Sequence, residues 1–202
     1  MSVMRSEPMK RSVAMGVAAL ILSSGVASAE MMAVASTDLT VRSGPGSNYD
    51  AVTTIPTWAE AEVEGCLVDT DWCKVGYGGV EGWAWGGYLV NSQADPEPIV
   101  ALDTRTVAVV VADDAMPVSA TTGRLLAPVD TVAVEPSPAI RAFVEGNPLP
   151  PLFLDGEVML GVGIPEGVTL YPVPDSDLTY LYLNNELALI DPGTRRIVGI
   201  LR

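Results

Sequence analysis

The side chains able to do chemistry are few, and their types exclude several reaction classes. The chain of 202 residues contains no histidine and two cysteines, Cys66 and Cys73. Without imidazole, Ser-His-Asp and Cys-His nucleophile systems are excluded, as are zinc sites that need histidine. A lone Cys-x₆-Cys pair offers only two soft ligands and lacks the Cys-x-x-Cys spacing of an oxidoreductase. We therefore expect no metal and no cofactor.

The cysteine pair is interpreted as a structural disulfide, with a metal or redox pair as the alternatives. Cys66 and Cys73 lie on two candidate strands that flank the turn Val68-Asp69-Thr70-Asp71. An even number of cysteines in an exported chain is typical of disulfide bonding. Closing so short a loop should stabilise the fold by about 2–3 kcal/mol through the entropy of the unfolded chain.

Carboxylates are the remaining candidates for catalysis, because a two-carboxylate glycosidase needs no histidine. Asp113 and Asp114 are adjacent, so on a strand they would point to opposite faces. The pairs Asp69/Asp71 and Asp175/Asp177 lie in turn-forming contexts, which explain these residues without catalysis. We expect a protein without enzymatic activity and without catalytic residues, and a carboxylate-dependent wall hydrolase is the last-ranked hypothesis.

Aromatic residues are better candidates for function than the carboxylates. All four tryptophans, and several tyrosines, lie within residues 39–90. Such rings are favoured at ligand surfaces because they bury a large area at a small entropic cost. The alternative is that they fill the core of a small domain. Trp83 and Trp85 share one face of a strand, whereas Trp58 lies in the turn Pro56–Ala59 and is expected to be exposed.

Residues 33–90 show only strand and turn patterns. Apolar and acidic residues alternate from Glu60 to Glu64, and Trp72–Tyr77 alternates likewise. Gly78-Gly79 then predicts a tight hairpin to a strand at Val80–Trp85.

The motifs in this part of the chain resemble the bacterial SH3-like (SH3b) family. They are the run Leu39-Thr-Val-Arg-Ser-Gly-Pro-Gly-Ser-Asn-Tyr49, the strand Trp72–Tyr77, the pair Gly82-Trp83 and the closing Tyr88-Leu89, in family order. The resemblance covers residues 33–91 and implies a small β-barrel found in cell-envelope proteins. It also implies a binding module, and its candidate ligand-binding residues are Arg42, Tyr49, Trp58 and Trp85. The expected partner is a cell-wall peptide or glycan, or an envelope protein.

The composition changes after this domain. Residues 92–104 are interpreted as a linker, since Asn91–Pro98 is polar and contains proline. Residues 105–137 form a poorly defined β or coil region. Ser137–Gly146 predicts a short helix, with Ser137 as its N-cap and Pro138 at its first position.

The C-terminal part predicts an antiparallel meander. Expected strands are Val158–Ile164, Val168–Val173, Thr179–Leu183, Glu186–Ile190 and Arg195–Leu201, with Asn184-Asn185 as a two-residue hairpin turn. The segments Phe153–Val158, Leu170–Asp175 and Ile190–Val198 resemble a domain of unknown function (family 1236) of alphaproteobacterial envelope proteins. That resemblance covers about residues 138–202 and implies location and boundaries only. The predicted fold is thus mainly β: a small SH3-like barrel, then a β-meander with one short helix.

The N-terminus predicts export. Basic Lys10 and Arg11 precede the apolar run Val13–Leu22, and Ala27-Ser28-Ala29 forms a cleavage site before Glu30. Residues 1–29 are therefore expected to be a signal peptide cleaved between Ala29 and Glu30, which would leave a periplasmic or secreted chain. An uncleaved anchor is less favoured, because the apolar run is shorter than the roughly 20 residues of a membrane span. Met9 is the expected natural start, which would make residues 1–8 a misassigned extension.

The charge limits the partners. A formal net charge of −14 at pH 7 disfavours nucleic acid and anionic lipid. A structural or assembly subunit that acts through protein–protein contacts at its sheet edges is the alternative to the binding module.

Overall fold

The computed structural model describes residues 31–68, 70–91, 99, 108–110 and 122–201. The predicted signal peptide and its cleavage site at Ala29 and Glu30 lie outside the described residues. So do Asp69, Asp113, Asp114 and, apart from Ile99, the predicted linker 92–104. Within the described ranges, no helix has the length and hydrophobicity required to span a membrane.

The N-terminal domain (residues 31–91) is built on one sheet. Its strands are β1 Met31–Ala35, β2 Leu39–Arg42, β3 Ala51–Ile55, β4 Glu60–Leu67, β5 Trp72–Tyr77, β6 Val80–Trp85 and β7 Leu89–Asn91, with a 3₁₀ helix at Gly86–Tyr88. The sheet order is β3-β2-β6-β5-β4-β1-β7, and these pairings are antiparallel. A short strand β8, Val109–Val110, pairs with β4 in parallel. The predicted β architecture is confirmed.

Local sequence explains a tight turn and the disulfide of this sheet. Gly78 and Gly79 have φ angles of 58° and 81°, which turn β5 into β6 as predicted. Cys66 on β4 lies directly opposite Cys73 on β5, and the two form a disulfide. The disulfide prediction is therefore confirmed.

Alternating residues of these strands fill the N-terminal core. Fully buried members include Leu39, Val41, Ile55, Val63, Val75 and Leu89, together with both disulfide cysteines and Trp72. Trp83 and Trp85 are also buried, at 5 % and 7 % exposure. Most of the tryptophans therefore serve the core, as expected for so small a domain.

The C-terminal domain (residues 122–201) carries a second antiparallel sheet and one helix. Its elements are helix α1 Pro138–Gly146 and strands β9 Tyr171–Pro172, β10 Thr179–Leu183, β11 Glu186–Asp191 and β12 Arg196–Leu201, in the sheet order β12-β11-β10-β9. Asn184 and Asn185 join β10 to β11 with φ angles of 49° and 71°, which is the predicted two-residue turn.

Helix α1 covers one face of this sheet. Its N-cap is Ser137, whose hydroxyl accepts a hydrogen bond from the Ile140 amide at 3.3 Å. Phe143 meets Tyr180 of β10 edge-to-face, with ring centroids 6.0 Å apart. The opposite face buries Leu181, Leu183, Ala188, Ile190 and Ile197 beneath the preceding loops.

Two of the expected C-terminal strands are wrong in extent. The segment predicted as a strand at Val158–Ile164 turns at Leu160-Gly161 and forms isolated bridges only at Gly163. Gly161 has a φ of 80°, and its backbone lies against Val129, which breaks the extended conformation. Val168–Val173 shortens to the two residues of β9. Apolar alternation alone does not reveal either interruption.

Candidate functional site

The most exposed aromatic of the N-terminal domain is Trp58, which is 72 % exposed in the turn between β3 and β4. Its φ of 66° is uncommon for a bulky residue and costs on the order of 1–3 kcal/mol. The neighbouring contacts hold this conformation. The Trp58 amide donates to the Ala35 carbonyl at 2.8 Å. Asp38 Oδ1 accepts from the amide and hydroxyl of Thr57 at 2.8 and 2.9 Å.

Strand β3, which leads into this turn, ends the sheet on one side. Its residues, Ala51-Val52-Thr53-Thr54-Ile55, carry no charge, and Val52 is 44 % exposed. A sheet edge of this kind offers backbone donors and acceptors to another extended chain. We call the exposed residues of β3 together with Pro56, Thr57 and Trp58 the β3–Trp58 surface.

Two other candidate residues, Arg42 and Tyr49, lie together at the two ends of the β2–β3 loop, at the opposite end of strand β3 from Trp58. Arg42 Nη1 donates to the Tyr49 carbonyl at 2.9 Å. Tyr49 is half-buried, and its ring packs so closely on Gly44 that a side chain at position 44 would collide with it. Arg42 is only 5 % exposed, and burial lowers the pKa of its guanidinium. In this arrangement Arg42 meets solvent only at the cleft between the domains, so an external ligand has little access to it.

The C-terminal domain covers Arg42 and places a buried acidic side chain, Glu157, near it. Glu157 is 5 % exposed and accepts a hydrogen bond from Thr40 Oγ1 at 2.5 Å. Burial raises the pKa of Glu157 to about 7, and the Thr40 hydrogen bonds and the Arg42 charge only partly oppose that rise. Sequence reasoning missed this residue, because a glutamate next to Gly156 is typical of a solvated turn.

A second contact between the domains covers Trp85. Its ring packs edge-to-face on Trp72 with centroids 5.5 Å apart, and the Arg124 guanidinium lies 4.9 Å from the Trp85 ring centroid. Arg124 also forms an ion pair of 2.7 Å with Asp71. Trp72 Nε1 donates to Asp155 Oδ1 at 3.5 Å. Trp85 is thus held within the protein by a cation–π contact rather than presented to solvent.

The structure therefore separates the four candidate ligand residues. Arg42 and Tyr49 are brought together, Trp85 lies in a different contact between the domains, and Trp58 stands alone in solvent. Ligand binding by these residues stays a prediction, and Trp58 is the one with an open surface.

One cavity lies at the contact between the domains, and a second lies within the C-terminal domain. A polar cleft of about 340 Å³ lies between the domains and is lined by Asp38, Thr40, Arg42, Ala51, Thr54, Asn184, Asn185 and Glu186. Glu157 does not line this cleft, so its carboxyl group does not face a substrate-sized space there. A more apolar cavity of about 470 Å³ lies within the C-terminal domain, between Pro150, Val168, Tyr171 and Leu181. In the part of the chain that the structure describes, no three potential metal-ligating side chains cluster together.

Comparison with known families assigns both domains. A family model described as a bacterial SH3 domain matches residues 37–90. A second, described as a domain of unknown function (DUF1236), matches residues 143–202. The chain carries a bacterial SH3 domain followed by a DUF1236 domain. No curated protein and no solved structure matches it. The two matches support a protein of the envelope type, and neither description names a catalytic activity.

Proposed function

We propose that this chain is an exported, non-enzymatic binding protein of the cell envelope, and that its SH3 domain binds a wall-derived peptide or glycan, or an envelope protein. The observation that carries the proposal is Trp58, displayed at 72 % exposure by a turn in which its φ is 66°. A strained backbone that presents a large ring to solvent is expected at a ligand surface rather than in a passive loop.

Export is supported by the disulfide as well as by the N-terminal sequence. Disulfides persist in oxidising compartments and are rare in the bacterial cytosol. Cell fractionation tests this part of the proposal: the chain should be found in the periplasm or medium, beginning at Glu30. Recovery of the full-length chain in the cytoplasm would refute it.

The binding proposal is tested by retention of the purified mature chain on isolated sacculi. Trp58→Ala should lower the association constant about ten-fold or more, because one well-packed aromatic contributes on the order of 1–3 kcal/mol at an interface. Tyr171→Ala is the matched control, since this ring of the DUF1236 domain is also exposed, at 42 %. Equal loss for both variants, or no retention of the unmodified chain, would contradict a wall ligand bound at Trp58.

A second candidate function is assembly through the β3–Trp58 surface. It is favoured by the uncharged edge strand, which lacks the lysines that commonly protect sheet edges from pairing. Multi-angle light scattering separates the two proposals. Assembly requires a concentration-dependent dimer that Val52→Lys converts to monomer, whereas a ligand-binding module is monomeric at all concentrations measured.

A further inference from the structure

Glu157 is buried where the two domains meet, rather than inside either one. Across the boundary, its carboxyl group accepts a hydrogen bond from the Thr40 hydroxyl, and Glu157 is only 5 % exposed. Hydrogen bonds within the C-terminal domain hold the segment that carries Glu157 in place. Asn184 accepts from the Leu154 amide at 2.9 Å and donates to the Leu154 and Gly156 carbonyls at 2.8 and 3.3 Å. The carboxyl group is therefore held rigidly against strand β2.

Charged and titratable groups face Glu157 from every element packed around it. Thr40 and Arg42 belong to β2, and Glu186 to β11. Tyr88 of the 3₁₀ helix is close enough for the Glu157 charge to act on it, and Asp50 acts in turn on Arg42. Among the described residues, Arg42 is thus one cation that faces several acidic groups, so an ionised Glu157 would be incompletely compensated where it is buried.

We infer that Glu157 is a proton-dependent latch between the SH3 and DUF1236 domains: in its neutral form it holds the DUF1236 domain against strand β2 through the Thr40 hydrogen bond, and its ionisation, which buries an incompletely compensated charge, loosens that contact. The inference goes beyond the proposed function, because it concerns a surface distinct from Trp58 and does not depend on what Trp58 binds. By opening and closing, the contact between the domains would control how accessible Arg42 is to a ligand.

The direction of the effect follows from the two environments of the carboxyl group. Held between the domains, Glu157 has a pKa of about 7, against 4.5 for an ordinary glutamate. The closed arrangement therefore binds the proton more tightly than an open one, and closure is most favoured below pH 4.5. That advantage is lost as the pH rises through about 7. Between about pH 5 and about pH 8, the equilibrium constant for opening should increase by up to roughly 70-fold.

Hydrogen exchange of the full chain, followed by mass spectrometry and corrected for the intrinsic pH dependence of exchange, tests the latch. We expect the protection factors of peptides covering residues 39–42 and 154–158 to fall about ten-fold or more between about pH 5 and about pH 8. Peptides from helix α1 and strand β12, which carry none of the groups that surround Glu157, should change little.

The matched variants separate the latch from general acidity. Glu157→Gln keeps a neutral oxygen that accepts from Thr40, so its protection should be high and independent of pH. Glu166→Gln, at an exposed acidic position of the same domain, should behave as the unmodified chain does. If protection in the unmodified chain does not depend on pH, the inference is overturned, whether or not the Gln variant folds. Retention of the full pH response by a folded Glu157→Gln chain would also overturn it.

Discussion

The disulfide between Cys66 and Cys73 gives the sharpest stability prediction, because its contribution follows from the length of the loop that it closes. The two residues are seven apart in sequence, and both are fully buried on neighbouring strands. Closing a loop of this size lowers the conformational entropy of the unfolded chain, which stabilises the folded state by about 2.5 kcal/mol. The double variant Cys66→Ala/Cys73→Ala should therefore lower the free energy of unfolding of the SH3 domain by about that amount.

Urea denaturation followed by tryptophan fluorescence measures the change, since all four tryptophans lie in this domain. With a slope of about 1 kcal/mol per molar urea for a small domain, the midpoint should move down by about 2.5 M. Adding a reductant should produce a similar shift in the unmodified chain and none in the double variant. If the double variant unfolded within about 0.3 M of the unmodified chain, the loop-entropy argument for this pair would be wrong.

Three further predictions test the packing between and within the domains. Glu157→Gln should become more stable than the unmodified chain as pH rises from 4.5 through 7, by up to about 3 kcal/mol in urea titrations; an unchanged difference across pH contradicts the burial argument. Asn184→Ala and Asn184→Gly should both cost about 2–3 kcal/mol, because each leaves buried backbone groups without their hydrogen bonds; rescue by glycine would show that the φ of 49° matters instead. Gly86→Ala should cost at least about 2 kcal/mol in thermal melts, because a Cβ there would collide with Cys73 Sγ, whereas Gly146→Ala, with open space around it, should be neutral or slightly stabilising.

Features set by local chemistry were accessible from the sequence. The Gly78-Gly79 and Asn184-Asn185 turns, the Ser137 cap and the cross-strand cysteines each depend on a few neighbouring residues. The exposed position of Trp58 also followed from its turn. These features are encoded within a few positions, so a pattern of residue types is enough to predict them.

The domain boundary was not accessible in the same way. Arg42 and Trp85 were expected to face a ligand, but segments more than 35 residues further along the chain cover both, through Glu157 and Arg124. A buried carboxyl group is rare enough that a glutamate in a polar segment is assigned to solvent. Only the packing of one domain on the other gives Glu157 its pKa of about 7.

The separation of Trp58 from the covered residues makes the binding mode distinguishable by pH. Trp58 is already exposed, so a ligand bound there alone should be retained equally at about pH 5 and about pH 8. A ligand that needs Arg42 must first displace the DUF1236 domain, and its apparent affinity is reduced by the fraction of chains that are closed. Its retention on sacculi should therefore rise with pH in the unmodified chain and become pH-independent in Glu157→Gln. Retention that falls with pH in both proteins would exclude both modes, because neither an open Trp58 nor a loosened latch predicts it.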